Sequence, residues 1–287
     1  MFIRSSFVKG AVMANNQQVK AVLFRELHDK GVLVLPNAWD AGSAALIAQG
    51  GAKAVATTSG GVSWSAGKPD QQALTRDEMT ALVRRIVDAV DVPVTADIEG
   101  GYGPAPEDVA ETVTVMIGAG VVGVNLEDSK PNGELFTAEE QAARIRAARQ
   151  AAERAGLPEL VINLRTDVFL FGIGAPEGRP ADVLARATAC AEAGADVLFV
   201  PGLLDLAVIA ELVKGQPLPV NVMAGPGAPT VSEFEAVGVR RVSVGTAIAQ
   251  AAYTVAHRAA AEMGGKGTYD VQADALDFGA VNSSFSR

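Results

Sequence analysis

Short apolar runs rich in β-branched residues alternate along the chain with longer amphipathic stretches rich in alanine. Eight such runs occur, at 32–36, 54–58, 92–97, 121–128, 160–165, 196–200, 218–223 and 240–244. Continuous apolar runs of this length are typical of strands that are buried on both faces, as in a parallel sheet. The pattern therefore predicts eight parallel strands.

A helix is predicted after each of these strands, and one more before the first strand, from about Val19 to Asp29. The other eight are expected at 40–49, 75–89, 106–119, 137–155, 180–193, 205–213, 230–236 and 246–263. Thr137 and Glu140 have the spacing of a capping box, and glycine follows several of the predicted helices, as it does at C-terminal caps. Strands and helices thus alternate through most of the chain.

Eight such units over about 245 residues are typical of a (β/α)8 TIM barrel, an α/β fold. The alternative is a doubly wound open sheet, which usually has fewer strands and a Gly-rich phosphate loop after the first one. The segment after the first predicted strand, PNAWD (36–40), is not such a loop. We therefore predict a barrel catalytic domain at 17–263, with a loose leader at 1–16 and a surface tail at 264–287.

Composition narrows the range of partners. The chain has 24 Lys and Arg against 33 Asp and Glu, a formal net charge of −9, which disfavours binding to nucleic acids or to an anionic membrane. The apolar runs are too short to span a bilayer, and residues 1–12 lack the apolar core and cleavage pattern of a signal peptide. We expect a cytoplasmic protein.

The scarcity of cysteine and histidine limits the chemistry. A single cysteine, Cys190, excludes an internal disulfide framework and a cysteine-based zinc cluster, and two histidines, His28 and His257, disfavour a histidine-rich metal site. Any metal is therefore expected to be held by carboxylates, which favour Mg²⁺ or Mn²⁺.

Four carboxylates follow two neighbouring predicted strands: Asp97, Glu99, Glu127 and Asp128. In a barrel these strand ends meet at the catalytic rim, where like charges repel and raise one another's pKa unless a divalent cation is bound. If the strand continues, Asp97 and Glu99 are two residues apart and lie on the same side of it. Glu127 and Asp128 are adjacent and point differently, so one is expected to reach the metal and the other a neighbouring cation. The alternative is a set of solvated rim acids paired with Lys or Arg.

Two further strand ends carry candidate substrate ligands. Ser59-Gly60-Gly61 offers free backbone N–H groups that suit a carboxylate or a developing enolate oxygen, although glycines after a strand are often plain turns. Arg165 has the planar fork that binds a carboxylate or phosphonate. Its alternative role is an ion pair with Glu127 or Asp128.

The chain resembles the isocitrate lyase/phosphoenolpyruvate mutase superfamily, in order over about residues 30–250. The resemblance is carried by PNAWDAGSA (36–44), TTSGGVSWSAGKPD (57–70), VPVTADIEGGYG (92–103), VNLEDS (124–129) and LRTDVF (164–169). It implies a barrel whose eighth helix is swapped between subunits, in dimers paired into a homotetramer. It also implies Mg²⁺ and small 2-oxo carboxylate or phosphonate substrates, whose C–C or C–P bond is made or broken next to an enolate.

The resemblance also implies roles for individual residues. Ser59, Gly60 and Gly61 would hold the substrate's carboxylate and oxo group, and Arg165 its second anionic group. Asp97 would bind the metal directly, with three further carboxylates acting mostly through its waters: Asp70, Glu99 and Glu127. Asn221 would line the pocket.

The chain departs from the superfamily's lyases in the loop after the fourth strand. Those lyases carry a Lys-x-Cys-Gly-His motif there, with the cysteine as acid/base, whereas the loop here is SKPNGELF (129–136). Cys190 falls in a predicted helix and is expected to be a small core residue. Cleavage of isocitrate or methylisocitrate by a loop cysteine is therefore not expected. The phosphonopyruvate enzymes use Asn or Thr in this loop, which makes Asn132 a candidate catalytic residue. Ser129 and Lys130 are equally placed, with a plain surface turn as the alternative.

Two more positions differ from the lyases. Pro201-Gly202 stands where they have a Glu, and Ala249-Gln250 where they have an Arg, which indicates a smaller or less anionic substrate or a more open site. The leading hypothesis is a Mg²⁺-dependent lyase or phosphonomutase acting on a small 2-oxo acid. One alternative is a phosphonopyruvate or oxaloacetate hydrolase or decarboxylase, which the short loop favours. Another is a catalytically degenerate barrel that binds a metabolite.

Overall fold

The computed structural model describes residues 16–285, and within them nine short parallel segments form one sheet in the order β1-β9-β8-β7-β6-β5-β4-β3-β2. Their bounds are β1 Leu33–Leu35, β2 Asn37–Ala38, β3 Val55–Thr57, β4 Val94–Asp97, β5 Gly123–Glu127, β6 Val161–Arg165, β7 Val197–Phe199, β8 Val220–Met223 and β9 Arg241–Ser243. Only Pro36 separates β1 from β2; β1 pairs with β9 and β2 with β3. Together they form one interrupted strand that closes the sheet, so the predicted eight-stranded (β/α)8 TIM barrel is confirmed.

The predicted helices that follow the strands are present within two residues at each end. The described helices are α1 at 16–26, α2 Ala41–Gln49, α3 Ser59–Ser65, α4 Arg76–Asp88, α5 Pro106–Gly118, α6 Ala138–Arg154, α7 Arg179–Glu192, α8 Leu206–Gly215, α9 Val231–Ala236, α10 Ala247–Gly265 and α11 Phe278–Ser283. Two of these, α3 and α11, were not predicted. The capping box of α6 is confirmed: Glu140 N donates to Thr137 Oγ1 at 3.1 Å and Thr137 N to the Glu140 carboxylate at 2.8 Å.

The inside of the barrel is polar. Asn163 Nδ2 and Arg241 Nη2 both donate to Asn125 Oδ1, at 2.8 and 3.2 Å, and all three side chains are buried. Burial lowers the pKa of Arg241 to about 9, against the attraction of Asp97. The apolar core lies instead between the sheet and the surrounding helices. A buried polar layer therefore supports the strand ends that carry the carboxylates.

The last barrel helix, α10, makes little contact with its own barrel. Of its residues in the described structure, Ala249 alone is buried, and the region after it is exposed apart from scattered half-buried residues. None of the helices in residues 16–285 is long and apolar enough to cross a membrane. The predicted leader falls, except for Asn16, outside the described residues.

Candidate active site

The Ser-Gly-Gly segment is the first turn of helix α3 rather than a loop. Glycine is a poor helix former, so the local pattern did not predict this helix. Ser59 N donates to Asp97 Oδ2 at 3.2 Å. A Cβ atom on Gly60 would lie 3.0 Å from Asp70 Oδ2, and one on Gly61 only 2.8 Å from side-chain atoms of two neighbours. Gly60 thus allows the helix start to approach the Asp70 carboxylate closely, and Gly61 allows it to pack against Thr58 and Trp39.

Asp97 ends strand β4 and is buried at the rim. Its backbone N donates to Thr57 Oγ1 at 2.9 Å, and its carboxylate accepts from the backbone N–H groups of Ser59 and Glu99. Burial raises the pKa of Asp97, while Arg165 and the hydrogen bond from Ser59 oppose the shift. Asp97 is therefore held in one orientation by backbone donors.

Glu99 does not continue the strand, so the expectation that it extends alongside Asp97 is wrong. Its φ is 50°, in the left-handed region, and the chain turns away after Asp97. The Glu99 carboxylate accepts from Gln72 N at 2.5 Å and from Tyr102 Oη at 3.4 Å. Burial raises the pKa of Glu99 to about 8, and the charges of Asp97 and Asp70 add to the shift. The turn still brings Glu99 to the same carboxylate cluster.

Asp70 belongs to a strained segment that packs against the start of α3. Gln71 and Gln72, which follow it, have φ values of 71° and 57°, which cost energy for residues other than glycine. Among the described residues, no hydrogen-bond partner reaches the buried Asp70 Oδ1. The Glu99–Gln72 hydrogen bond holds this segment over the rim.

Arg165 is bound by two carboxylates. Its Nη1 lies 2.6 Å from Glu127 Oε1 and its Nε 2.7 Å from Asp167 Oδ1. The ion-pair alternative for Arg165 is therefore observed with Glu127. Burial raises the pKa of Glu127 well above its ordinary value, and Arg165 opposes that shift. Ser129 Oγ lies 2.7 Å from Asp167 Oδ2 and 3.1 Å from Glu127 Oε2.

Asp128 faces away from this cluster and pairs with Arg186 at 3.1 Å. The two adjacent acids thus point differently, as expected. Asp167 was not singled out in the sequence, although it stands two residues after Arg165, where a strand would bring it to the same side.

A pocket of about 240 Å³ opens among these groups. Seven of the residues singled out in the sequence line it: Ser59, Asp70, Glu99, Glu127, Arg165 and, from the loop 129–136, Ser129 and Lys130. Lining residues that the sequence did not indicate include Gln71 and Gln72 and an apolar pair, Leu170 and Phe171, which no local pattern marks.

Among the predicted site residues that do not line this pocket, Asp97, Gly60 and Gly61 lie next to Ser59 or Asp70, and two others lie elsewhere. Asn132 is exposed, donates to Glu134 Oε2 at 2.9 Å and lines a neighbouring cavity instead. Asn221 is fully buried inside the barrel, where its Oδ1 accepts from Ser243 Oγ at 3.3 Å. The structure therefore does not place either side chain in the pocket wall.

The loop 129–136 forms a tight turn. Ser129 and Leu135 make an isolated antiparallel bridge, and Lys130 N donates to Glu134 O at 2.8 Å. Cys190 is buried in α7, and burial raises the pKa of its thiol to about 12. Its expected place in the core is confirmed.

The position where the lyases have a Glu is filled by backbone. Gly202 has a φ of 82°, and a Cβ atom there would lie 2.8 Å from Leu170 Cα. No longer side chain fits at this point, because the segment carrying Leu170 and Phe171 occupies it.

The carboxylates offer oxygen ligands for a hard cation, but not a preformed cage. No group of three or more His, Cys, Asp or Glu side chains within residues 16–285 converges as a direct metal site. Asp97 and Glu99 are partly used by backbone donors, whereas Asp70 Oδ1 is unpartnered by the described residues. This donor set fits a hydrated divalent cation with few direct protein ligands.

Residues 24–264 match the family model of phosphoenolpyruvate phosphomutase. The chain belongs to the isocitrate lyase/phosphoenolpyruvate mutase superfamily. An uncharacterized protein of Mycobacterium tuberculosis is 37% identical over 245 residues, which cover 85% of this chain and 90% of that protein. The 2,3-dimethylmalate lyase of Eubacterium barkeri is 36% identical, with 76% and 77% covered. A crystal structure from Burkholderia cenocepacia J2315, provisionally named as a lyase/mutase, has a TM-score of 0.88 at 38% identity, with 95% and 98% covered.

Proposed function

We propose that this superfamily member is a Mg²⁺-dependent carbon–carbon lyase that makes or breaks a C–C bond of a small 2-oxo acid, with the developing negative charge carried as an enolate. The observation that carries the proposal is the rim pocket itself, in which Ser59, Asp70 and Glu99 face the Arg165–Glu127 pair. Membership in a superfamily that includes lyases and mutases of small acids supports it.

The carboxylate cluster is the proposed metal site. Asp97 would hold Mg²⁺ directly, and Asp70 and Glu99 would contact its water shell. The bound ion supplies stabilisation of the negative charge that develops on the enolate oxygen. The backbone N–H groups of Gly60 and Gly61, in the first turn of α3, would hold the substrate's carboxylate, while the N–H of Ser59 binds Asp97.

Ser129 is the proposed route for a proton. Its hydroxyl lies within hydrogen-bond distance of both Glu127 and Asp167, and the residue lines the pocket. In the cleavage direction, Glu127 accepts the proton that the substrate's hydroxyl loses, and this proton passes through Ser129 Oγ to the carbon that carries the negative charge once the C–C bond breaks. Arg165 keeps Glu127 oriented through their ion pair.

The charges that line the pocket favour cleavage of a C–C bond over cleavage of the C–P bond of a phosphonate. A phosphonate carries up to two negative charges, whereas the guanidinium of Arg165 is already bound by Glu127 and Asp167. Lys130, which also lines the pocket, lies 3.7 Å from Glu140. Among the described side chains that line the pocket, Arg165 and Lys130 are thus both already paired with carboxylates, which disfavours a phosphonate.

A hydrolase or decarboxylase is the second candidate. The loop 129–136 is folded into a tight turn rather than extended as a long lid, and it contains neither Cys nor His. A short loop excludes water less completely, which favours hydrolysis of the same enolate-forming substrates.

A substrate panel with Mg²⁺ tests these proposals: oxaloacetate, phosphonopyruvate, 2,3-dimethylmalate and 2-methylisocitrate. We expect cleavage of 2,3-dimethylmalate or a related acid. Asp97→Ala should abolish turnover and Mg²⁺-dependent binding of oxalate, an enolate mimic, with the circular dichroism spectrum unchanged. Asp88→Ala, an exposed aspartate at the end of α4, is the matched control. Oxalate binding without any turnover would indicate a metabolite-binding barrel instead, and full activity of Asp97→Ala would refute the mechanism.

We also propose a helix-swapped dimer, with two dimers forming a tetramer. Val34 points outward from β1 and is 46% exposed, beside a groove of about 510 Å³ lined by Val32, Ile47 and Ile248. In a closed barrel this face is normally covered by helices. Helix α10 of a second copy would cover it. Light scattering of the intact chain should give a dimer or tetramer, and a monomer would contradict the proposal.

A further inference from the structure

A second and larger cavity lies beside the catalytic pocket. Its volume is about 720 Å³, against about 240 Å³ for the pocket itself. It is bounded by the segment after β4, the loop 129–136 and helix α6, and its walls are largely carbon, from Pro104, Pro106, Pro131, Phe136 and Ala143. The proposed reaction does not use this space.

The two cavities share one wall. Gln72 and Ser129, together with Lys130 and Pro131, line both of them. A Cβ atom on Gly100 would lie 3.2 Å from Gln72 Nε2 and 3.3 Å from Ser129 O, so glycine lets the two walls meet over the bare backbone. A substituent long enough to pass the side chains of Gln72 and Ser129 from the catalytic pocket would reach the larger cavity.

The cationic groups of the larger cavity already have partners. Arg144 donates to the carbonyl oxygens of Gly103 and Pro104 at 2.9 and 2.8 Å and stacks 4.1 Å from the centre of the Phe136 ring. The ammonium group of Lys130 lies 4.9 Å from the centre of the same ring. Phe136 thus contacts two cations, and the cavity presents hydrocarbon rather than a site for a second carboxylate.

We infer that the cavity binds an apolar alkyl or aryl substituent on C3 of the substrate, the carbon next to the 2-oxo carbon. This inference rests on the proposed function, because it takes the acid head group to lie in the catalytic pocket. The substrate class is then a 2-oxo acid, or the lyase adduct that yields one, with a hydrophobic tail.

The binding affinities of a series of 2-oxo acids test the inference, and this test does not require the reaction to be known. Pyruvate, 2-oxobutanoate, 2-oxopentanoate and 2-oxohexanoate differ by one methylene each and are titrated calorimetrically with Mg²⁺ present. We expect the affinity to rise by about fourfold per methylene, the factor for burying one CH₂ group. Ala143→Trp, which fills the cavity from α6, should reduce this gain to less than about twofold. Ala143→Leu should act in the same direction, more weakly.

Ala147→Trp is the matched control, because Ala147 is half-buried one turn further along α6 and does not line the cavity. It should leave the dependence on chain length unchanged. If pyruvate and oxalate bind equally well to all variants but chain length has no effect, or if both Trp variants behave alike, the subsite is refuted. If pyruvate and oxalate do not bind at all, the proposed function itself fails.

Discussion

His28 should make the stability of the protein depend on pH. The side chain is 6% exposed, its Nδ1 lies 2.8 Å from Phe24 O, and its ring packs edge-on against Phe24 at 5.0 Å. Burial lowers the pKa of His28 from 6.5 to about 4, and the positive charge of Arg241 adds to the shift. The folded protein therefore holds the ring neutral where the unfolded chain would protonate it.

The direction and size of the change in unfolding free energy with pH follow from proton linkage. Between pH 6.5 and 4 the unfolded chain binds the additional proton, so stability is complete above pH 6.5 and falls as the pH drops towards the folded pKa. A difference of about 2.5 pKa units at 1.36 kcal/mol each gives a loss of about 3 kcal/mol by pH 4, of which about 2 kcal/mol is lost by pH 5.

The perturbation that tests this is His28→Asn, which keeps an amide donor near Phe24 O but does not titrate. Urea unfolding at pH 7.5 and pH 5.0, at constant protein concentration, gives the change in unfolding free energy for each protein. The wild type should lose about 2 kcal/mol more than His28→Asn over this interval. The paired comparison cancels the buried carboxylates, whose raised pKa values act in the opposite direction.

His257→Asn is the control, since His257 is the second histidine and lies exposed on α10. It should retain the pH dependence of the wild type. Equal pH dependence in His28→Asn and the wild type would refute the reasoning, as would a proton NMR titration that places the His28 ring pKa near 6.5.

Two further substitutions test local features of the site. Gly202→Ala should destabilise the fold by about 1–3 kcal/mol in thermal or urea unfolding, because its φ of 82° and the 2.8 Å approach to Leu170 Cα both oppose a side chain; unchanged stability would show that this segment yields easily. Ser129→Ala should lower kcat by about 10²–10⁴-fold, the usual contribution of a positioned proton-transfer group, with oxalate affinity in the presence of Mg²⁺ little changed. A proportional loss of oxalate affinity would assign Ser129 to ligand binding instead.

The alternation of apolar runs and amphipathic stretches was sufficient to predict the barrel. Strands that are buried on both faces have continuous apolar sequences. A capping box such as Thr137 and Glu140 involves residues within one helical turn. Both features can therefore be predicted from short stretches of sequence. The order of strand ends also brought Ser59, Glu127 and Arg165 to one rim, because parallel strands in a barrel end on the same face. These three predictions concern the placement of the residues; their roles stay predictions.

Contacts between segments that are distant in sequence could not be predicted from local patterns. Extended geometry was expected beyond Asp97, yet Glu99 takes a left-handed turn because its carboxylate is bound by Gln72 N from another segment. The Ser-Gly-Gly segment was expected to be a loop and is the start of α3, where tertiary packing outweighs the poor helix propensity of glycine.

The sequence by itself thus determined the fold, the rim and the lack of a loop cysteine, since these depend on periodicity, strand direction and residue identity. Only the tertiary structure decided that Arg165 is bound by Glu127 and Asp167, that Asn132 lies outside the pocket and that an apolar cavity adjoins it. Those features depend on which side chains from different βα units meet, and a pattern within one unit carries no information about the distance to another.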